Sequence, residues 1–142
     1  MKALMPKNAV TDEEIANCLP VLLELRPHLH PASFLPLVRQ MEKEGFHIAF
    51  MEENHEVVTV AGYRLATNFV MGKNLYVDDL VTSERVRSKG YGAVMLSWLR
   101  NVALDNGCRY LHLDSGTHRH QAHKFYFKQG LVIISYHFGE EL

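Results

Sequence analysis

Only two cysteines occur among the 142 residues, Cys18 and Cys108, far apart and without metal-ligand spacing. Two reduced thiols in an intracellular chain explain them at least as well as a disulfide, so a reducing cytoplasm is the expected location. Long apolar runs are missing too. None approaches the roughly 18 residues that a membrane helix requires, and the stretch Met1-Lys2-Ala3-Leu4-Met5-Pro6 lacks the apolar core of a secretory leader. Charge of one sign is not in excess: 15 basic residues face 16 acidic ones, a formal net charge of -1. Overall charge therefore gives no reason to expect nucleic acid or an anionic membrane as partner, and any polyanion site must be local. Repeats, low-complexity tracts and Gly/Ser linkers are absent as well.

What is present fits one globular domain spanning residues 1–142. The composition is 47% hydrophobic and 22% charged, and a chain of this length buries roughly two-thirds of the surface it exposes when unfolded. Thr11 with Glu14 resembles a capping box, and Ile15, Cys18, Val21, Leu22 and Leu25 follow at helical spacing. Pro31 opens a second amphipathic helix through Phe34, Leu37, Val38 and Met41, with Gly45 as its stop. His47–Met51 and Val57–Tyr63 read as antiparallel strands around a polar turn, and Leu75–Val81 as a third strand rich in branched and aromatic residues. Gly92, Leu96, Leu99 and Ala103 share one face of a helix that ends at Asn106-Gly107. Tyr110–Asp114 completes a strand, helix, strand unit whose strands should be parallel. A short helix, Gln121–Gln129, and a last strand, Leu131–Phe138, close the chain. The expected class is α/β: a mixed, mostly antiparallel central sheet with one parallel crossover and helices on both faces.

Between strand and helix lies Arg87-Ser88-Lys89-Gly90-Tyr91-Gly92. Closely spaced glycines at a helix start let free N–H groups and the positive helix end converge on an anion. A dinucleotide fingerprint would need glycine where Met95 stands, although Asp114 lies about twenty residues beyond Gly92, as a ribose-binding acid would. A P-loop is excluded, since no Gly-Lys-Ser or Gly-Lys-Thr follows. What remains, Arg-x-x-Gly-x-Gly with Arg87 and Lys89 adding positive charge, fits the pyrophosphate of coenzyme A.

On Arg87, Gly90 and Gly92 the chain resembles the GNAT superfamily of N-acetyltransferases, whose signature is Arg/Gln-x-x-Gly-x-Gly/Ala. The likeness continues in order through the preceding strand, the following helix, Gly107-Cys108, a strand, and Ala122-His123-Lys124-Phe125-Tyr126-Phe127-Lys128-Gln129-Gly130-Leu131. It runs from about residue 57 to 138. Two features depart from the family: Arg119 stands where asparagine is usual, and the long first strand is barely visible before Thr11, so the sheet is expected to start short.

The resemblance implies transfer of an acetyl group from acetyl-CoA to a primary amine, either a small molecule such as a polyamine or a protein lysine, within a ternary complex. It implies that Leu80, Val81 and Thr82 donate backbone N–H groups to the pantetheine and thioester, and that Arg87, Ser88, Lys89, Gly90, Tyr91 and Gly92 hold the phosphates. Tyr126 matches the family tyrosine that protonates the departing thiolate. An alkyl amine is almost wholly protonated at neutral pH, so a base or water chain is useful. Asp78 and Asp79 are the nearest carboxylates. Adjacent strand residues face opposite sides, so only one is expected to point at the reacting centre; binding the substrate's charge is an equal role for the pair.

His112, His118, His120 and His123 cluster in sequence, but no Cys partners or His-Glu-x-x-His helix accompany them, and no metal is expected. His118 and His120 could line the site or meet phosphates, while His28 and His30 lie on the early helices that should shape the acceptor pocket. The alternatives to an enzyme are a noncatalytic acyl-CoA-binding regulatory module or a small dinucleotide-binding domain. The family commonly dimerises, and the apolar last strand could pair across an interface; a monomer is equally open.

Overall fold

The computed structural model describes residues 4–142, so the first half of the stretch Met1–Pro6, expected not to be a secretory leader, lies outside the described residues. The chain divides into two compact units, Met1–His112 and Leu113–Leu142.

The first unit holds a short strand β1 (Lys7–Asn8), then α1 (Asp12–Asn17), α2 (Leu19–Leu25) and α3 (Pro31–Glu42). The Thr11–Glu14 capping box is present in both directions. What the spacing joins into one helix is broken in two, because Pro20 sits in the first turn of α2 and has no N–H to continue the α1 ladder. Strands β2 (Phe46–Glu53) and β3 (Glu56–Asn68) meet at a two-residue turn. Asn54 and His55 both take left-handed φ there, 53° and 65°, a twist that suits a tight hairpin. β4 (Gly72–Thr82) follows, then a single 3-10 turn, Glu84–Val86, α4 (Tyr91–Asp105) and β5 (Tyr110–Leu113).

The sheet order is β1-β2-β3-β4-β5, antiparallel except that β4 and β5 run parallel. Alternation along the strands splits the buried residues between two faces. Phe46, Ile48, Phe50, Val60 and Val81 join Ile15, Cys18, Leu22, Phe34 and Val38 in one core under α1–α3. Leu75 and Val77, of the opposite parity, are also buried, as are Met95, Leu96 and Leu99 of α4, and Tyr63 meets Trp98 of α4 edge-on. Each such fully buried side chain contributes about 1.5–3 kcal/mol. Both cysteines are free. Burial pushes the Cys18 thiol up to about 12, and its sulfur donates to the Glu14 carbonyl at 3.3 Å.

The β3–β4 register slips once. Gly62 pairs with Asp79 and Tyr63 with Val77, leaving Asp78 as an extra residue in a β-bulge. The second unit contains α5 (His120–Lys128), stopped by Gly130 at φ 90°. The expected strand Leu131–Phe138 does not form. Its branched and aromatic residues favour a strand, but β structure also needs a hydrogen-bonded neighbour, and no strand among the described residues pairs with this segment. Val132, Ile134, Tyr136 and Phe138 are instead 58–92% exposed.

Candidate active site

Adjacent strand residues ordinarily face opposite sides, but the bulge at Asp78 interrupts that alternation. Skipping one residue shifts the alternation by a half period, and Asp78 and Asp79 both line one cavity of about 390 Å³ on the α1–α3 face. Its apolar walls come from Leu22 of α2, Leu29, Phe34, Leu37, Val38 and Met41 around α3, and Phe46 and Ile48 of β2. His28 and Tyr76 also line it. His30 starts α3 instead, as its N-terminal boundary residue.

Two arginines that the sequence pattern does not single out organise the carboxylates. Arg26, at the C-terminal end of α2, donates from Nε to Asp79 Oδ1 at 2.8 Å and from Nη2 to the Asp78 carbonyl at 3.1 Å. Arg64 of β3 places Nε 3.0 Å and 3.2 Å from the two oxygens of Asp78, while its guanidinium lies over the Phe46 ring. Burial raises the Asp78 carboxyl above the ordinary value of 3.8, against the opposing pull of Arg64. For an acid shifted upward, the buried charge weakens the fold as pH rises through that raised value, and the penalty is absent below 3.8. Neither arginine stands near the aspartates in sequence, so only the common face of β3 and the end of α2 could have identified them.

Further along β4, the backbone of Leu80, Val81 and Thr82 pairs with Ala61, Val60 and Thr59 of β3. On the other edge, β5 begins beside the start of β4, where the Arg109 N–H donates to the Lys73 carbonyl at 2.8 Å. With four residues β5 reaches about 13 Å, whereas the eleven residues of β4 extend about 36 Å. The Leu80–Thr82 end is therefore beyond the reach of β5, and because the Ser83 N–H is bonded to the Val58 carbonyl, alternation turns the Val81 N–H toward β3 and the N–H groups of Leu80 and Thr82 away from it, which corrects the expectation that all three donate to a ligand. At the β5 end, His112 Nε2 lies 2.9 Å from Asn74 Oδ1, and the His112 ring meets Tyr76 edge-on.

The loop after β4 leaves a helix start uncapped and open. Ser88 and Gly90 both have left-handed φ, 80° and 81°, on either side of Lys89. Gly90 is the boundary residue of α4, and no side chain caps the first-turn N–H groups of that 15-residue helix. A Cβ on Gly90 would meet no protein atom within 4 Å, so the space in front of the helix end is open. These features fit a pyrophosphate, with Tyr91 and Gly92 in the first turn.

The loop's side chains are tied back to the protein. Arg87 Nε donates to the Thr82 carbonyl at 3.2 Å, and Lys89 Nζ approaches Glu53 Oε1 at 3.2 Å. Tyr91 also donates to Glu53. These two hydrogen bonds, Tyr91 first, hold the Glu53 carboxyl below its usual range, and the same bond raises the Tyr91 phenol. Glu53, which no motif marks, thus fixes the loop from the end of β2.

In the second unit, Tyr126 lies on α5 and packs edge-on against Phe125, with centroids 5.5 Å apart. His123 Nε2 lies 2.8 Å from the Gly116 carbonyl, the His120 and His123 rings are in contact, and Arg119 is the boundary residue before α5. Asp114 approaches His137 at 3.5 Å. Among the described residues, no group of three or more His, Cys, Asp or Glu side chains is placed to hold a metal ion, and no helix is long and apolar enough to cross a membrane.

A mixed sheet whose fourth strand outruns its neighbour, followed by a helix start that no side chain caps, is the architecture of an acyltransferase of the acetyl-CoA-dependent type, and the relatives of the chain bear that class out. The chain belongs to the acetyltransferase (GNAT) family, whose pattern matches residues 13–131. It is 33% identical to the uncharacterized N-acetyltransferase YhdJ of Bacillus subtilis (strain 168) over 134 residues, covering 93% of this chain and 94% of that one. Its fold matches an acetyltransferase of Trypanosoma brucei with a TM-score of 0.79 at 20% identity, over 99% of this chain and 100% of the other. It also matches the aminoglycoside N-acetyltransferase AAC(6')-Iy in complex with CoA, with a TM-score of 0.85 at 9% identity, over 99% and 97% of the two chains.

Proposed function

We propose that the protein, acting as a single domain, moves the acetyl group of acetyl-CoA directly to a primary amine seated in the cavity beside Asp78 and Asp79. The observation carrying this reading is that β4 supplies both carboxylates and, immediately after them, the open-edged run Leu80–Thr82 that leads into the anion loop. Bound acetyl-CoA supplies the acyl group as a thioester. Leu80 and Thr82, whose N–H groups face away from β3, orient it through backbone donors, with Val81 holding the strand in register between them, while Ser88, Gly90, Tyr91 and Gly92 hold the pyrophosphate with N–H groups at the start of α4. Arg87 and Lys89 add positive charge there. Tyr126 donates a proton to the departing sulfur.

Of the two carboxylates, Asp78 is the better proton acceptor, because burial moves its pKa toward the working pH. Asp79, locked to Arg26, positions the amine. Rate should therefore fall as pH drops through the raised Asp78 value. Asp78→Asn should lower kcat by about 100-fold and erase that acid limb, whereas Asp79→Asn should chiefly raise the amine's KM. Free-thiol release at saturating acetyl-CoA, measured across pH, tests the assignment; an unchanged acid limb in Asp78→Asn removes Asp78 from the role.

We also propose that the chain works as a homodimer through its C-terminal segment. None of residues 113–142 is buried, so the apolar side chains there gain little from folding alone. Val132, Ile134, Tyr136 and Phe138 alternate as one face of a strand, and two copies can pair antiparallel about a two-fold axis. Light scattering after gel filtration should give twice the chain mass, and Ile134→Lys should give the single chain. A monomeric wild type at micromolar concentration sinks the idea.

A further inference from the structure

The cavity that the proposed reading assigns to the acceptor also constrains that acceptor's chemistry. Its two carboxylates are already compensated: Asp79 by Arg26 at 2.8 Å and Asp78 by Arg64 at 3.0 Å. The four side chains sum to zero formal charge. The remaining wall is mostly aliphatic and aromatic, with Leu29, Phe34, Val38, Met41 and Phe46 prominent. A polyamine or aminoglycoside brings several ammonium groups and needs several carboxylates without partners of their own. Against this wall its second and third charges would lose hydration and gain no counter-ion. A single amine on an apolar body meets no such penalty. Its body replaces water along α3 and β2, and its one nitrogen lies beside the Asp78–Asp79 bulge, where proton transfer leaves it neutral.

We infer that the acceptor is a monoamine carrying an apolar, ring-sized or branched body, and not a polycation. This rests on the cavity being the acceptor site of the proposed transferase, and the test separates the two ideas. Full-length protein with saturating acetyl-CoA is assayed for thiol release with phenethylamine, spermidine and kanamycin, while acetyl-CoA binding is measured independently by calorimetry. The expected kcat/KM for phenethylamine exceeds that for either polycation by at least about 100-fold, the factor for one uncompensated charge at an apolar wall.

A variant locates the effect. Leu37 lines the cavity yet is 41% exposed, so Leu37→Glu should fold, and it adds a carboxylate without a partner. It should raise KM for phenethylamine about tenfold and lower KM for spermidine. Preference for spermidine or kanamycin in the wild type, no activity with phenethylamine, or no change in either KM in Leu37→Glu each overturns the acceptor class while the coenzyme site stands. Absence of acetyl-CoA binding sinks the transferase reading and the acceptor class with it.

Discussion

Tyr126→Phe should lower kcat by about 100-fold or more while leaving acetyl-CoA affinity and Tm unchanged, since a positioned general acid contributes about 10²- to 10⁴-fold. Tyr126 meets Phe125 edge-on, and phenylalanine keeps that ring contact. Only the hydroxyl is lost. A thiol titrating near ~8.5 leaves tolerably well as its anion, so some rate should persist, and it should rise when the leaving thiol is made more acidic. Turnover within a few-fold of wild type would assign Tyr126 to packing alone. A fall in Tm or in coenzyme affinity equal to the fall in rate would point to a structural role.

Gly62→Ala is expected to cost about 1–3 kcal/mol of stability and to lower Tm by roughly 4–12 °C. Gly62 lies opposite Asp79 at the bulge, and a Cβ there would come 2.6 Å from Asp79 Oδ2 and 2.7 Å from Phe46 Cζ. Neither neighbour yields easily. Asp79 is held by Arg26, and Phe46 is buried with the Arg64 guanidinium over its ring. Relief of the clash should push Asp79 away from the cavity, so the variant's KM for the amine should rise while its acetyl-CoA affinity stays unchanged. Thermal melts and steady-state kinetics read both effects. A Tm within about a degree of wild type would mean that Phe46 moves freely and that Gly62 is not what shapes this wall.

The contrast between Gly62 and Gly90 explains how far the sequence could be read. The capping box at Thr11, the stop at Gly45 and the turn into α4 are local devices, recorded within four or five consecutive residues, and they appear where expected. The bulge is set by which residue of β3 faces which residue of β4, a relation between segments about 17 positions apart that no local pattern encodes. The pairing of Arg26 with Asp79, 53 residues apart, is further from reach. Pro20 was legible and its effect on the first helix could have been foreseen. The segment after Gly130 is the opposite case: its pattern is that of a strand, but a pattern states a preference, and pairing requires a neighbour.

A transferase that consumes acetyl-CoA liberates a free thiol at every turnover, and once an oxidant has converted such thiols to disulfides, exposed protein thiolates attack them by exchange. With burial pushing its thiol up to about 12, Cys18 stays almost wholly protonated near neutral pH. Its place beneath the α1–α3 helices thus keeps the core beside the cavity out of exchange with the disulfide form of coenzyme A, which leaves Cys108 as the more accessible of the two thiols.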